Sequence, residues 1–146
     1  MGSGSVTNQV NDVEHSDFIF VIGSNPTSNH PVAATWMKNA AKRGAKIVVA
    51  DPRGTDLGKH AWRALHFKAD TDVAMLNAML HVIIEEGLVD ESFIHNRANN
   101  YDALKANVKD FSPEAMAPIC GIDAHTLREV ARAYATANSA MILWGM

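Results

Sequence analysis

Cysteine is almost absent from the chain, which has only Cys120 in 146 residues. A single cysteine excludes an intrachain disulfide, and it cannot supply the thiolates that an iron–sulfur cluster or a cysteine-based zinc site needs. Seven histidines are present, but none has the HExxH spacing of a metalloprotease. The sequence therefore predicts no metal bound by this chain alone. It also offers no set of nucleophile, base and acid, so no catalytic residue is predicted.

Excess positive charge and long apolar runs are also lacking. The 13 lysines and arginines stand against 16 acidic residues, so the charge pattern does not favour a nucleic-acid partner. Apolar-rich runs such as Phe18–Gly23 and Ile47–Ala50 are far too short to cross a bilayer. The Gly/Ser-rich start lacks the apolar core of a secretory signal. We expect residues 1–12 to be a flexible loop or tag, and the protein to be cytoplasmic.

What the sequence does contain is an alternation of short β-rich runs and helical periodicity, which is typical of a parallel α/β sheet. Strands are predicted at Phe18–Gly23, Lys46–Asp51, Ala64–Lys68 and Ala140–Trp144. Long helices are predicted at Pro31–Arg43, at Val73–Glu86 and from Asp123 onward, with a small helical excursion at Asp90–Ala117. The predicted fold is a Rossmann-like α/β domain over residues 13–146. Because a buried apolar strand rarely ends a protein, we expect a fragment of a larger subunit.

Capping residues and apolar periodicity make these predictions more specific. Asn29 and Asp72 are the predicted N-caps of the first two long helices, with Pro31 at a first helical position. Cys120 is predicted to be a small core residue. The second long helix is predicted to bury a stripe made of Val73, Leu76, Leu80, Ile83 and Ile84.

Three polar loops follow the first three predicted strands, and ligands of open α/β sheets bind at the carboxyl ends of strands. The first loop, residues 23–30, combines Gly23 with short polar side chains before a helix N-terminus, which favours phosphate. Its spacing is not GxGxxG, however, so the usual NAD fingerprint is absent. The alternative is a plain strand–helix turn with Asn hydrogen bonds.

The second and third loops add charged groups. Asp51 at a strand end could accept hydrogen bonds from ribose hydroxyls, and Arg53 could bind phosphate or stack on a base. Alternatively, Asp51 caps the turn and Arg53 is solvated. In the third loop, Asp72 could accept two N–H bonds from a guanine edge, or Thr71 and Asp72 could simply be helix caps.

The three loops lie within two long runs, VIGSNPTSNHPVAATWMKNAAKRGAKIVVADPRGT and FKADTDVAMLNAMLHVIIEEGLVDESFI, and the chain closes with LREVARAYATANSAMILWGM. Together these runs resemble the central segment of prokaryotic molybdopterin oxidoreductases, and most of all the catalytic α subunit of formate dehydrogenase. The resemblance covers nearly all of Val13–Met146. It implies a domain that holds the guanine dinucleotide arm of a bis-molybdopterin guanine dinucleotide cofactor.

The resemblance also implies which residues bind that cofactor. They are Gly23, Ser24, Asn25, Ser28, Asn29, Ala50, Asp51, Arg53, Phe67, Asp70, Thr71 and Asp72. Asp70 stands where the family commonly has Gly, which puts a backbone contact there in doubt. Asp72 keeps the acidic or amide position that is expected to read guanine.

The family's metal ligand, a Cys or selenocysteine followed by His, has no counterpart here, and neither has its four-Cys iron–sulfur motif. The resemblance therefore implies that the molybdenum or tungsten chemistry and the iron–sulfur clusters belong to other segments of the subunit. The implied partners are those remaining domains and other formate dehydrogenase subunits, with NAD as the electron acceptor. Two alternatives stay open from the residues themselves: an NAD-binding Rossmann dehydrogenase fragment, and a non-catalytic flavodoxin-like interaction domain.

Overall fold

The computed structural model describes residues 8–145, which fall into two compact units. Of the described residues, the first unit comprises 8–65 and 137–145, and the second comprises 66–136. The predicted flexible segment, residues 1–12, lies partly outside the described residues; within it, a 3-10 helix begins at Val10 and runs to His15. The prediction of one domain over residues 13–146 stays a prediction.

The first unit is built on a four-stranded, fully parallel sheet. Its strands are β1 (Phe18–Ile22), β2 (Lys46–Ala50), β3 (Arg63–Leu65) and β4 (Ala140–Trp144), in the spatial order β3-β2-β1-β4. This confirms the predicted parallel α/β sheet and the pairing of the last strand. The third strand was predicted at Ala64–Lys68; it begins one residue earlier and ends at Leu65, because the ladder with β2 stops there.

Two helices of the first unit connect β1 to β2. They are α1 (Pro26–Asn29) and α2 (Pro31–Lys42), and α2 packs Met37 and Ala40 against Ile19, Val21 and the 3-10 helix before β1. Alternate residues of β1 thus face this core, while the intervening Phe18 and Phe20 are also buried. A strand that is apolar on both faces is the pattern expected of a central parallel strand.

Strand β4 is less buried than its sequence predicts. It was expected to be a buried apolar strand, but only Met141 and Leu143 pack against the core, whereas Ile142 and Trp144 are 44% and 55% exposed. The reason is its position in the sheet: among the strands of residues 8–145, β4 lies at the edge and pairs with β1 alone. An apolar run therefore predicted the strand correctly and its burial wrongly.

The second unit is helical. It contains α3 (Asp72–Glu85), α4 (Glu91–Arg97), α5 (Tyr101–Asn107), α6 (Pro113–Cys120) and α7 (Ala124–Ala135). Helices α4 to α6 form the predicted excursion. Pro113 occupies the first position of α6, and Cys120 is fully buried in the core as expected.

The buried face of α3 is not the predicted one. The predicted stripe included Val73 and Leu76, which are 63% and 39% exposed. The buried residues are instead Met75, Ala78, Met79 and Val82. Because α3 is apolar nearly all round, periodicity alone could not choose between its faces.

Both predicted caps are displaced by one position. His30 rather than Asn29 is the N-cap of α2, and Thr71 rather than Asp72 is the N-cap of α3. Neither cap side chain accepts a bond from its helix, and Asp72 is the first residue of α3. Pro31 does occupy the first position of α2, because a missing N–H costs nothing there.

Ion pairs join three helices of the second unit. The Arg128 guanidinium on α7 binds Glu114 of α6 through two N–H groups, at 3.1 and 2.9 Å, and Glu85 of α3 at 3.3 Å. One turn further along α7, Arg132 makes a two-pronged contact with Glu86 at 2.7 and 2.8 Å. These hydrogen bonds hold the pKa values of Glu86 and Glu114 below their ordinary range. The pairs thus link α7 to α6 and to the C-terminal end of α3 at the surface.

No helix among residues 8–145 combines the length and the apolar composition needed to cross a membrane.

The cap of α7 gives a prediction for stability. Asp123 accepts the Thr126 N–H at 2.9 Å, and its hydrogen bonds with the Thr126 side chain and backbone lower the pKa of the carboxyl group. Because this pKa is lowered in the folded state, the stabilisation is present at neutral pH and is lost as pH falls through the folded value. Asp123→Ala should cost about 1 kcal/mol near pH 7.

Denaturant unfolding of wild type and variant at neutral pH and near pH 3 measures this difference. Asp123→Asn is the control, since an amide oxygen also caps. A deficit in the alanine variant that is as large in acid as at neutral pH would contradict the role assigned to the carboxylate.

Candidate nucleotide-binding site

The strand order of the first unit changes direction at β1. From β1 the chain moves to β2 and β3 on one side, but β4 pairs with β1 on the other side. The carboxyl ends of β1 and β4 are therefore a topological switch point, which is where open α/β sheets bind their ligands. The first polar loop begins at this point, immediately after Ile22.

The backbone of the first loop leaves space for a ligand. Gly23 has φ +58°, a conformation that glycine adopts without strain, and no atom lies within 4 Å of where its Cβ would be. Its N–H donates to Ala50 O at 2.9 Å, which ties the loop to the end of β2. A ligand can thus approach the main chain closely at a point that is itself held in place.

The helix expected after the first loop is interrupted. Instead of leading directly into α2, residues 26–29 form the single turn of α1, with Pro26 at its first position. Asn25 is the N-cap: its carbonyl accepts the N–H groups of Ser28 and Asn29, and its Oδ1 accepts the Thr27 hydroxyl at 2.7 Å. Ser28 and Asn29 are exposed on this turn, while Ser24 and Asn25 are half-buried.

The second loop holds a buried carboxylate beside an exposed cation. Asp51 is 2% exposed, and its Oδ1 accepts the backbone N–H of Arg53 at 2.8 Å and the Arg53 Nε–H at 3.2 Å. The Arg53 side chain is 78% exposed. Holding the guanidinium by Nε leaves its terminal N–H groups directed elsewhere, in the fork that suits a phosphate.

The second loop ends at Thr55, whose hydroxyl is buried. Thr55 Oγ1 has no hydrogen-bond partner among residues 8–145, although it is shielded from solvent. Leaving a buried polar group unsatisfied costs about 1–3 kcal/mol. The sequence reasoning did not single out Thr55, and only its burial reveals it. A polar ligand or water would satisfy this group.

The third loop belongs to the second unit. Thr71 N–H and Thr71 Oγ1–H both donate to Lys68 O, at 3.2 and 2.6 Å, which closes a tight turn through Ala69 and Asp70. Asp70 has φ +62°, the left-handed conformation that such a turn favours in Gly. The turn that the family commonly builds with Gly is therefore formed with Asp. Phe67 is 6% exposed and belongs to the core, while Asp72 is half-buried.

The first two loops lie side by side in the first unit, whereas the third loop belongs to the second unit. Ile22 and Ala50 are register partners on neighbouring strands, which lie about 5 Å apart. Gly23 and Asp51, the next residue on each strand, are therefore neighbours. The cofactor role of the twelve residues named from the resemblance stays a prediction.

The first two loops fit a nucleotide by their chemistry. They combine an open glycine backbone, a buried carboxylate acceptor, an exposed guanidinium and an unsatisfied hydroxyl. A nucleotide presents the matching groups: ribose hydroxyls as donors and phosphates as acceptors. These groups are of the kind that can bind and orient a nucleotide.

Comparison with known proteins places this chain among enzymes of one cofactor class. The family model described as molybdopterin oxidoreductase matches residues 2–146. Formate dehydrogenase H of Escherichia coli (strain K12) is 40% identical over 100% of this chain and 20% of its own length. The F420-dependent formate dehydrogenase 1 subunit alpha of Methanococcus maripaludis is 41% identical over 99% of this chain and 22% of its own length.

A solved structure is similar as well. The acetylene hydratase from Pelobacter acetylenicus superposes with a TM-score of 0.83 at 33% identity, covering 93% of this chain and 20% of its own. The chain thus spans about a fifth of the length of the relatives it matches.

The turn at Asp70 gives a prediction for the third loop. A non-glycine residue in the left-handed region costs up to about 1–2 kcal/mol, less for Asp and Asn. Asp70→Gly should relieve that strain but raise the entropy of the unfolded chain, so the free energy of unfolding should change by less than about 1 kcal/mol. Asp70→Val should be markedly destabilising. Chemical denaturation measures both, and equal effects of Gly and Val would contradict the left-handed conformation.

Proposed function

The chain belongs to the molybdopterin oxidoreductase family, and we propose that it holds the guanine dinucleotide arm of a bis-molybdopterin guanine dinucleotide cofactor in a formate dehydrogenase α subunit. One observation carries the proposal. Gly23, with open space over its backbone, follows β1 at the topological switch point, and the buried Asp51, paired with the exposed Arg53, follows the neighbouring strand.

Each group of the first two loops has a separate task in this proposal. The backbone of Gly23, Ser24 and Asn25 lines the approach of the phosphates, with Ser28 and Asn29 offering exposed polar groups on the next turn. Asp51 accepts hydrogen bonds from ribose hydroxyls, because its carboxylate is fixed by Arg53 N–H. Arg53 offers its exposed N–H fork to a phosphate.

The strand end and the third loop complete the proposed set. Ala50 keeps the strand end small beside the nucleotide. Asp72 reads guanine by accepting N–H bonds on its carboxylate, while Thr71 and Asp70 form the turn before it. Phe67 supports that loop from the core rather than by surface contact, since it is buried.

The activities named for the relatives argue for a cofactor role instead of substrate selection. Formate dehydrogenases and an acetylene hydratase are all similar to this chain over nearly its full length. Their names denote different substrates, so a segment common to them is better suited to the cofactor than to any one substrate. Formate is proposed here because two of these relatives carry formate in their names.

In the intact subunit, the cofactor would supply a molybdenum or tungsten centre for the two-electron oxidation of formate to carbon dioxide. Residues of this chain would bind and orient the nucleotide arm, and other domains of the subunit would supply the metal ligand and the iron–sulfur clusters. We propose a cytoplasmic enzyme with NAD as its acceptor. Three relatives carry F420 in their names instead, so assays of the intact enzyme with NAD and with F420 test this choice of acceptor.

The carboxylate of Asp51 provides the test of this site. Asp51→Asn keeps the volume of the side chain but removes the charge that strengthens its hydrogen bonds, which should weaken GDP binding by about tenfold. Isothermal titration of the chain with GDP and with NAD gives the dissociation constants. In the intact subunit, the same variant should lower the guanine nucleotide content per polypeptide.

Asp56→Asn is the matched control, since Asp56 lies in the same unit but is exposed and paired with Lys59 at 2.7 Å. It should leave the GDP affinity unchanged. The proposal is wrong if the wild-type chain does not bind GDP or binds NAD more tightly. Equal weakening by both substitutions would instead remove Asp51 from the site.

A further inference from the structure

A second glycine lies at the switch point, on the opposite side of β1 from β2. Gly145 directly follows β4, and its N–H donates to the carbonyl of Ile22 at 3.1 Å. This bond extends the parallel ladder between β4 and β1 one residue beyond Trp144, the last register partner. Gly145 is thereby held against the beginning of the first loop.

The contact is too close for any side chain. A Cβ on Gly145 would lie 2.2 Å from the carbonyl oxygen of Gly23 and 3.3 Å from Cα of Ser24. Both are backbone atoms, so no rotamer change could relieve the clash. The 2.2 Å approach would have to open to at least 3.0 Å, the limit that real Cβ atoms respect.

Within residues 8–65, the glycines of the first unit are not constrained in this way. A Cβ on Gly58 would meet Cβ of Ala64 at 3.9 Å, which is ordinary contact, and a Cβ on Gly54 would meet nothing within 4 Å. Gly23 is constrained by its φ of +58° rather than by space. The switch point therefore combines one glycine required by conformation with another required by close approach.

We propose that Gly145 is a positioning residue of the nucleotide site: its missing side chain allows the end of β4 to fix the Gly23–Ser24 peptide in the conformation that binds the nucleotide. This inference rests on the function proposed above. The peptide is held from both sides, by Gly145 and by the bond from Gly23 N–H to Ala50 O at 2.9 Å.

The clash that a Gly145 side chain would make should displace the first loop only locally. Binding groups must be held within about 0.5 Å of their productive positions, and opening the contact from 2.2 to 3.0 Å exceeds that tolerance. Because Gly23 N–H is tied to β2, the displacement falls on the following peptide, at Ser24 and Asn25. The second loop, which contains Asp51 and Arg53, should keep its geometry.

The test compares Gly145→Ala with Gly58→Ala, the same change in the same unit without a clash. Gly145→Ala should weaken GDP binding by about tenfold, the equivalent of one or two hydrogen bonds, whereas Gly58→Ala should leave it unchanged. In ¹H–¹⁵N spectra of the free chain, the amide signals of Ser24 and Asn25 should shift, while that of Arg53 should stay in place. A purely destabilising effect would not be confined to these signals.

The outcomes separate this inference from the proposed function. A wild-type chain that does not bind GDP contradicts the proposed function. Wild-type binding that Gly145→Ala leaves intact, or unmoved Ser24 and Asn25 signals, overturns the positioning role alone. If the variant fails to fold, the wild-type chain provides the test. A nuclear Overhauser contact between the α protons of Gly145 and Ser24 is expected both with and without GDP. The absence of this contact overturns the proposal.

Discussion

The pairing of β1 on both of its edges is the constraint on which the first unit depends. Its five residues are register partners of β2 on one side and of β4 on the other, and they are apolar toward both faces of the sheet. Because β2 lies on one side of β1 and β4 on the other, the loop after Ile22 lies at the switch point. The same pairing brings Asp51 beside Gly23 on one side and Gly145 against it on the other.

The sequence predicted the fold best where its apolar pattern and its turn residues indicated the same element. The apolar run before Gly23-Ser24-Asn25-Pro26 was predicted to be a buried strand, and it forms β1, which ends at Ile22 before a bend at Gly23. Two predictions of burial were wrong. Helix α3 is apolar on several sides, so the wrong face was predicted to be buried. Strand β4 was predicted to be buried because it is apolar, but it lies at an edge of the sheet. The predicted candidate site included Asp51 and Arg53 but not Thr55 or Gly145, because burial and close approach arise only when distant segments meet.

The third loop contains a left-handed residue that is Asp70 here, where glycine is more usual. The resemblance suggested that Asp70 in place of Gly would put a backbone contact in doubt. The structure keeps Asp70 in the left-handed conformation, with the turn closed by Thr71 onto Lys68 O. Asp tolerates this region better than most residues because its short polar side chain can bond locally. At this position the chain therefore forms a left-handed turn without glycine.

The central claim is that the carboxyl edge of the sheet binds a guanine nucleotide through the loops after β1 and β2. Titration of the ¹⁵N-labelled chain with GDP, followed residue by residue, tests it most directly. The account predicts saturable shifts at Gly23, Ser24, Asn25 and Arg53, with little change at Lys46 and Asp17 at the opposite ends of the strands. Shifts confined to those opposite ends, or none that saturate, would contradict it.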